Sequence, residues 1–298
     1  MRFGLFLNEP KGPDALSKLR ERVARGADEG FSSAWVSNIF GLDALTALAV
    51  VGSQVPGIEL GTGVVPTYPR HPAALAQQAL TVNAAVDGRL ALGIGLSHQM
   101  VIEGMYGYSF DKPARHMREY LSVLMPLVRG EKASFEGETL KANIELSTPG
   151  TGNMPVLLAA LAPRMLKLAG EVADGTVLWM TGPKTVAEHV VPAITEAARA
   201  AGRPAPRIVC TLPICVTDDV EAARAEASAK FAIYGHLPSY RAMLDREGVE
   251  GPGGVAMVGD EDAVAAQIEA LAEIGVTDFV AAEYSRDGRT REFLKTLL

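Results

Sequence analysis

Apolar residues along this chain follow two rhythms. Short, nearly continuous apolar runs alternate with longer stretches in which apolar residues return every three or four positions. The first pattern marks buried strands and the second amphipathic helices. Residues 2–7 read as a strand. Leu16, Leu19, Val23 and Ala27 then set one face of a helix over 16–29, with Asp14 as its expected cap and Gly30 as its stop. Residues 31–37 read as the second strand and 43–54 as a helix. Next comes a β–α–β unit: strand 58–64, loop 65–72, helix 73–86 and strand 89–94. Parallel strands joined by one helix deliver their exits to the same sheet edge. The two exits here are Gly61-Thr62-Gly63-Val64-Val65-Pro66 and Gly93-Ile94-Gly95-Leu96-Ser97-His98. Glycines there are expected to let the backbone approach a ligand, since no Cβ intervenes.

The alternation continues with a helix over 114–128, introduced by Asp111 and Pro113 and striped by Met117, Tyr120, Leu121, Leu124, Leu127 and Val128. Strands follow over 155–160, 175–180, 207–216 and 277–282. The helices between and after them are 163–172, 183–200 (kinked by Pro192), 219–234, 264–274 and 289–298. Two segments break the rhythm. Residues 131–154 are polar and glycine-bearing, a small hairpin by expectation, and 235–259 hold prolines and glycines in a long connection. Eight strands, each with a helix after it, predict an α/β fold of the (β/α)8 TIM-barrel type. It forms one domain over 1–298, with insertions after strands 4 and 7.

Composition narrows the function. A net charge of −7 with no Lys/Arg run disfavours a nucleic-acid surface. The apolar runs are too short to span a membrane, and the first residues lack a signal-peptide pattern, so a cytoplasmic protein is expected. Cys210 and Cys215 lie in one strand, five apart and on opposite faces, which predicts core thiols rather than a bridge. The glycines at 93 and 95 lack the third member of a dinucleotide fingerprint and follow the fourth strand, not the first. Phosphate-loop, zincin, nucleophile-elbow and CxxC motifs are absent. The five histidines are scattered, and no metal site is expected.

Several stretches together resemble the luciferase-like monooxygenase superfamily. They are Trp35-Val36-Ser37-Asn38, Leu60-Gly61-Thr62-Gly63-Val64, Arg70-His71-Pro72, Leu92-Gly93-Ile94-Gly95, Glu103-Gly104-Met105-Tyr106-Gly107, Ala159-Ala160-Leu161, Ala173-Asp174-Gly175-Thr176 and Gly275-Val276-Thr277-Asp278-Phe279. The resemblance is strongest to the branch that uses the deazaflavin coenzyme F420, including methylene-tetrahydromethanopterin reductase-like proteins. It implies a non-proline cis peptide at Gly63-Val64, set against the coenzyme ring, and a phosphate turn at Gly95-Leu96-Ser97-His98. Ala160-Leu161-Ala162 at a helix start would give a second anion contact, with Thr181 and Gly182 alongside. Asn38 would lie near the ring's polar edge. His98 and Glu9 are the proton-transfer candidates, and Phe40, Tyr106 and Trp179 would line the substrate side. Glu103 and Arg115 are expected to pair.

The activity implied is hydride transfer between F420 and a small organic substrate by a homodimer. Two alternatives remain open: FMN with oxygen in a monooxygenase, and a flavin- or deazaflavin-binding barrel without turnover.

Overall fold

Eight parallel strands close on themselves in chain order, as the alternating rhythm predicts. They are β1 (Arg2–Leu7), β2 (Ser33–Val36), β3 (Glu59–Thr62), β4 (Leu90–Gly95), β5 (Val156–Leu158), β6 (Gly175–Trp179), β7 (Arg207–Val216) and β8 (Asp278–Glu283). The ring closes because β1 pairs with both β2 and β8: Leu5 lies beside Ala34 on one side and Ala281 on the other. The computed structural model describes residues 1–8, 10–148, 154–285 and 287–298. Helices surround the ring, giving the TIM-barrel architecture. Among the described residues, no helix is long and apolar enough to cross a membrane.

Alternation along each strand divides the core into two layers. Outward residues such as Leu5, Leu60, Leu92 and Ile94 pack beneath the helices. Inward residues Trp35, Ala91, Leu157, Val177, Val209 and Val280 fill the lumen. At the strands' first residues Arg207 binds Glu59 and Asp278 with its guanidinium and lies 5.8 Å from the centre of the Trp35 ring. Charge pairing and a large indole therefore seal the lower end. Any opening belongs at the other end, where the strands exit.

Both irregular segments have structure of their own. Ala133–Glu136 and Lys141–Ile144 form the expected hairpin. The buried carboxylate of Glu119 anchors it, accepting from the amides of Glu138, Thr139 and Leu140 and from the Thr139 hydroxyl. The second segment contains the helix Pro238–Glu247, a 3-10 turn Pro252–Gly254 and a short strand, Met257–Gly259, that pairs with the end of β7. Only Met243 and Leu244 of that helix are buried, too few to make a readable stripe.

Three local expectations need correction. Asp14 caps nothing with its side chain and instead pairs with Lys18 at 2.9 Å. Glu103 and Arg115 do not pair: Glu103 accepts from Gln99 and the Phe110 amide, and Arg115 binds Glu138. Ahead of Pro192 the helix widens into a π turn over Val186–Val190, with the Val191 amide bonded to the Val186 carbonyl. Pro192 has no N–H, and its ring crowds the carbonyl four residues back, so the turn loosens there. Cys210 and Cys215 are free and buried, as expected.

Candidate functional site

The inward face at the strand exits is lined mostly by small residues. The Gly63-Val64 peptide is cis, at the position the resemblance gave. Gly63 donates to the Val36 carbonyl at 2.8 Å, and the Val64 side chain turns into the lumen with Phe6 and Ala159. Here the glycine reading needs revision. A Cβ on Gly61 would lie 2.2 Å from the Trp35 indole. One on Gly93 would lie 1.9 Å from the Thr62 carbonyl oxygen, and one on Gly95 would lie 2.7 Å from a Val64 methyl. Their empty volume admits the protein's own atoms. A ligand would meet Val64, which these glycines allow inward.

Two corners flank this point. β4 and β5 are neighbours, with Ile94 beside Leu158, so the turn after each lies next to the other. After β4, Ser97 adopts φ +62° and His98 starts the short helix Gln99–Gly104. After β5, Ala160 is buried, Leu161 half-buried and Ala162 exposed, and Ala162 precedes the helix Pro163–Val172. The amides of Ser97, His98, Leu161 and Ala162 donate to no protein acceptor among the described residues. Four free N–H groups on adjoining corners, one beside a helix start, suit an anion. The Leu161 carbonyl, which faces the other way, is held by His189 Nε2 at 2.8 Å.

His98 stands half-buried at this corner, its ring 5.7 Å from that of Tyr240. Burial holds its pKa below the usual imidazole range, so it is mainly neutral at pH 7. Asn38 lies across the opening, and its Oδ1 accepts from the Ala44 amide at 2.9 Å. That bond commits the oxygen to the helix Ala44–Gly52 and leaves the Nδ2 donors for anything at the mouth.

Aromatic residues form a wall that reaches the His98 corner through Tyr240. Trp179 stacks on Phe6 with centroids 5.6 Å apart and planes 19° apart. Phe231 and Tyr234 meet the indole edge-on, each at 5.6 Å, and Tyr240 meets Tyr234 at 5.1 Å. The indole Nε1 is buried and meets no acceptor at hydrogen-bonding geometry, although the Tyr234 hydroxyl is nearby. A buried donor left without an acceptor fits a flat heteroaromatic ring with an acceptor on its edge. Phe40 and Tyr106 lie on the outer rim, 63% and 39% exposed.

The corner after β6 is different. Glu247 reaches over from the helix Pro238–Glu247, accepting from the Lys184 and Thr185 amides and from the Thr185 hydroxyl. Gly182 is pressed against that carboxylate, and the Thr181 hydroxyl turns back to the Trp179 carbonyl. A carboxylate already occupies this helix start through Lys184 and Thr185, while the amides of Thr181 and Gly182 donate to no protein acceptor among the described residues. Glu9 lies outside the described residues. Among those residues no group of three His, Cys, Asp or Glu side chains could hold a metal.

Sequence reasoning missed Phe6, Phe231, Tyr234, Tyr240 and Glu247. Phe6 was open to it, being two residues from Gly4 on the inward face of β1. The others come from the helix after β7 and the segment beyond it, where no pattern announces a partner.

Comparison with known proteins shows the family and the fold. The family model for luciferase-like monooxygenases matches residues 1–278. A 5,10-methylenetetrahydromethanopterin reductase of Methanolobus tindarius is 27% identical over 297 residues, covering 90% of each chain. A Mycobacterium tuberculosis protein, provisionally named a coenzyme F420-dependent oxidoreductase, is 31% identical over 235 residues, 72% of this chain and 67% of that one. The solved F420-dependent tetrahydromethanopterin reductase of Methanopyrus kandleri superposes with a TM-score of 0.82 at 23% identity, covering 99% of this chain and 96% of that one.

Proposed function

This chain belongs to the luciferase-like monooxygenase family, and from that membership we propose that it is an F420-dependent oxidoreductase acting on a small organic substrate. A relative with F420 in its name supports the choice of coenzyme. The observation that carries the reading is the pair of adjoining corners with four free amides, set beside Val64 and the Trp179 wall.

When bound, the deazaflavin supplies a hydride donor or acceptor. The chain's own part is positioning. Ser97, His98, Leu161 and Ala162 would hold the coenzyme's phosphate through their N–H groups. Val64 and Ala159 would support one face of the ring, and Trp179 Nε1 would meet its polar edge. His98 is the proton carrier of this reading: half-buried and on the phosphate corner, it can take or give a proton at a ring nitrogen. Phe40 and Tyr106, on the rim, are assigned to the substrate side. A homodimer in the cytoplasm belongs to the same reading.

Titration of the purified protein with F420 and with FMN tests the coenzyme. The reading expects F420 to bind more tightly, and the loaded protein to exchange hydride with a member of a panel of enones, imines and secondary alcohols. Preference for FMN with oxygen consumption would make it a monooxygenase instead. Tight binding with no turnover would make it a carrier.

A further inference from the structure

Three stretches stand around the barrel mouth: residues 37–42 after β2, 96–110 after β4 and 231–240 beyond β7. Exposed loops normally carry charge, yet these three hold a single Asp, Glu, Lys or Arg, in a chain that is 21% charged. That residue is Glu103, and its carboxylate is already taken by Gln99 and the Phe110 amide. In place of charge the stretches present large apolar side chains. Beside Phe40 and Tyr106, the residues Ile39, Met100, Met105, Tyr108 and Ile233 are between 48% and 62% exposed. Most of the exposed large apolar side chains among the described residues lie here. The second and third stretches meet where the His98 ring lies 5.7 Å from that of Tyr240, and Ile233 adjoins Tyr234 of the Trp179 wall. The apolar rim therefore continues into the ring site.

A lone apolar side chain on a surface needs no explanation, but a set gathered at one entrance marks what that entrance receives. Charged groups on a substrate would give up hydration to these stretches and meet no counter-charge there, whereas hydrocarbon gains with every methylene covered. We propose that the mouth receives an uncharged molecule with an extended apolar skeleton, and not a charged heterocycle such as a pterin with a carboxylate tail. This rests on the reading of the mouth as the substrate entrance, and it names the class of substrate. The functional group would reach in toward Val64, and the skeleton would lie over Met105, Tyr108 and Ile233.

The test uses 2-pentanone and 2-undecanone as probes and folate as the charged pterin, each titrated calorimetrically into the protein without F420 or FMN. A failure here is therefore separate from any failure of F420 to bind. 2-Undecanone is expected to bind about thirtyfold or more tighter than 2-pentanone, roughly twofold for each added methylene, and about tenfold or more tighter than folate. Met105→Glu with Tyr108→Glu should weaken 2-undecanone about tenfold or more, and the milder Met105→Gln with Tyr108→Gln should weaken it less, with circular dichroism confirming the fold. Val50→Glu, near the far end of the helix Ala44–Gly52, should leave it unchanged. Sedimentation of the same variants tests whether a second copy of the chain covers the rim: loss of a dimer in the Glu pair, with no ketone bound by the unaltered protein, would make the rim a subunit contact and overturn the proposal. Equal affinities for the two ketones, folate binding as tightly as 2-undecanone, or an affinity indifferent to the rim variants would overturn it as well.

Discussion

The Thr62 hydroxyl donates to the Gly93 carbonyl at 2.8 Å and accepts from the Gly93 amide at 2.9 Å. One side chain thus holds both backbone groups of its neighbour where β3 leaves the ladder to form the bulge at Gly63. The pair tolerates nothing larger: a Cβ on Gly93 would stand 1.9 Å from the Thr62 carbonyl oxygen. Gly93→Ala must push β3 and β4 apart, and should cost about 1–3 kcal/mol or more. Thr62→Val keeps the shape but strands two buried backbone groups, at about 1–3 kcal/mol each. Urea unfolding curves check both. A change under about 0.5 kcal/mol in either variant would contradict the account.

Glu247 ties the segment beyond β7 to the helix after β6 by filling its free amides. Glu247→Gln keeps the size but weakens three charge-assisted bonds, and should cost about 1.5–3 kcal/mol. Hydrogen exchange should quicken at the Lys184 and Thr185 amides first. Unchanged protection there would argue that the contact is incidental.

His116 stacks on Tyr68 at 3.9 Å and bonds the Thr67 hydroxyl at 3.0 Å. Burial pushes its pKa down to about 4, although the Glu119 carboxylate pulls the other way. The unfolded chain therefore binds a proton that the folded one refuses. Stability from this group is complete above pH 6.5 and declines as pH falls toward 4. His116→Phe keeps the stack and should flatten that part of the stability–pH curve. An unaltered slope would show that other groups govern it.

Much of the fold was legible because strand and helix periods differ so sharply, and the eight strands keep near-continuous apolar runs. The glycines at 61, 93 and 95 were legible as special positions, but not for their reason. A missing Cβ says that something comes close without saying whether it is a ligand or Trp35, Thr62 and Val64. The helix Gln99–Gly104 escaped notice because six residues make less than two turns and bury only Ile102. The Trp179 wall escaped because Phe231 and Tyr234 meet the indole from more than fifty positions away. Carboxylates such as Glu119 and Glu247 look like solvated helix charges until the folded chain brings amides to them.

His98 should set one limb of the pH–rate profile. Its pKa lies below 6.5, so its charged form appears only on the acid side. In the reducing direction turnover should rise as pH falls through that pKa, and in the oxidising direction it should fall. His98→Gln should abolish the limb and lower kcat by about 10²–10⁴-fold. The same limb in the variant would remove His98 from the chemistry.

Ala162 offers the sharpest probe of the whole account. Its φ of −74° and ψ of 149° already suit proline, so Ala162→Pro deletes one free N–H with little change of shape. The decisive measurement is the F420 dissociation constant of this variant against that of the unaltered protein. The account predicts at least tenfold weaker binding, the loss of one hydrogen bond to a charged group, with the unfolding temperature preserved. Equal dissociation constants would contradict it, as would an unaltered protein that does not bind F420.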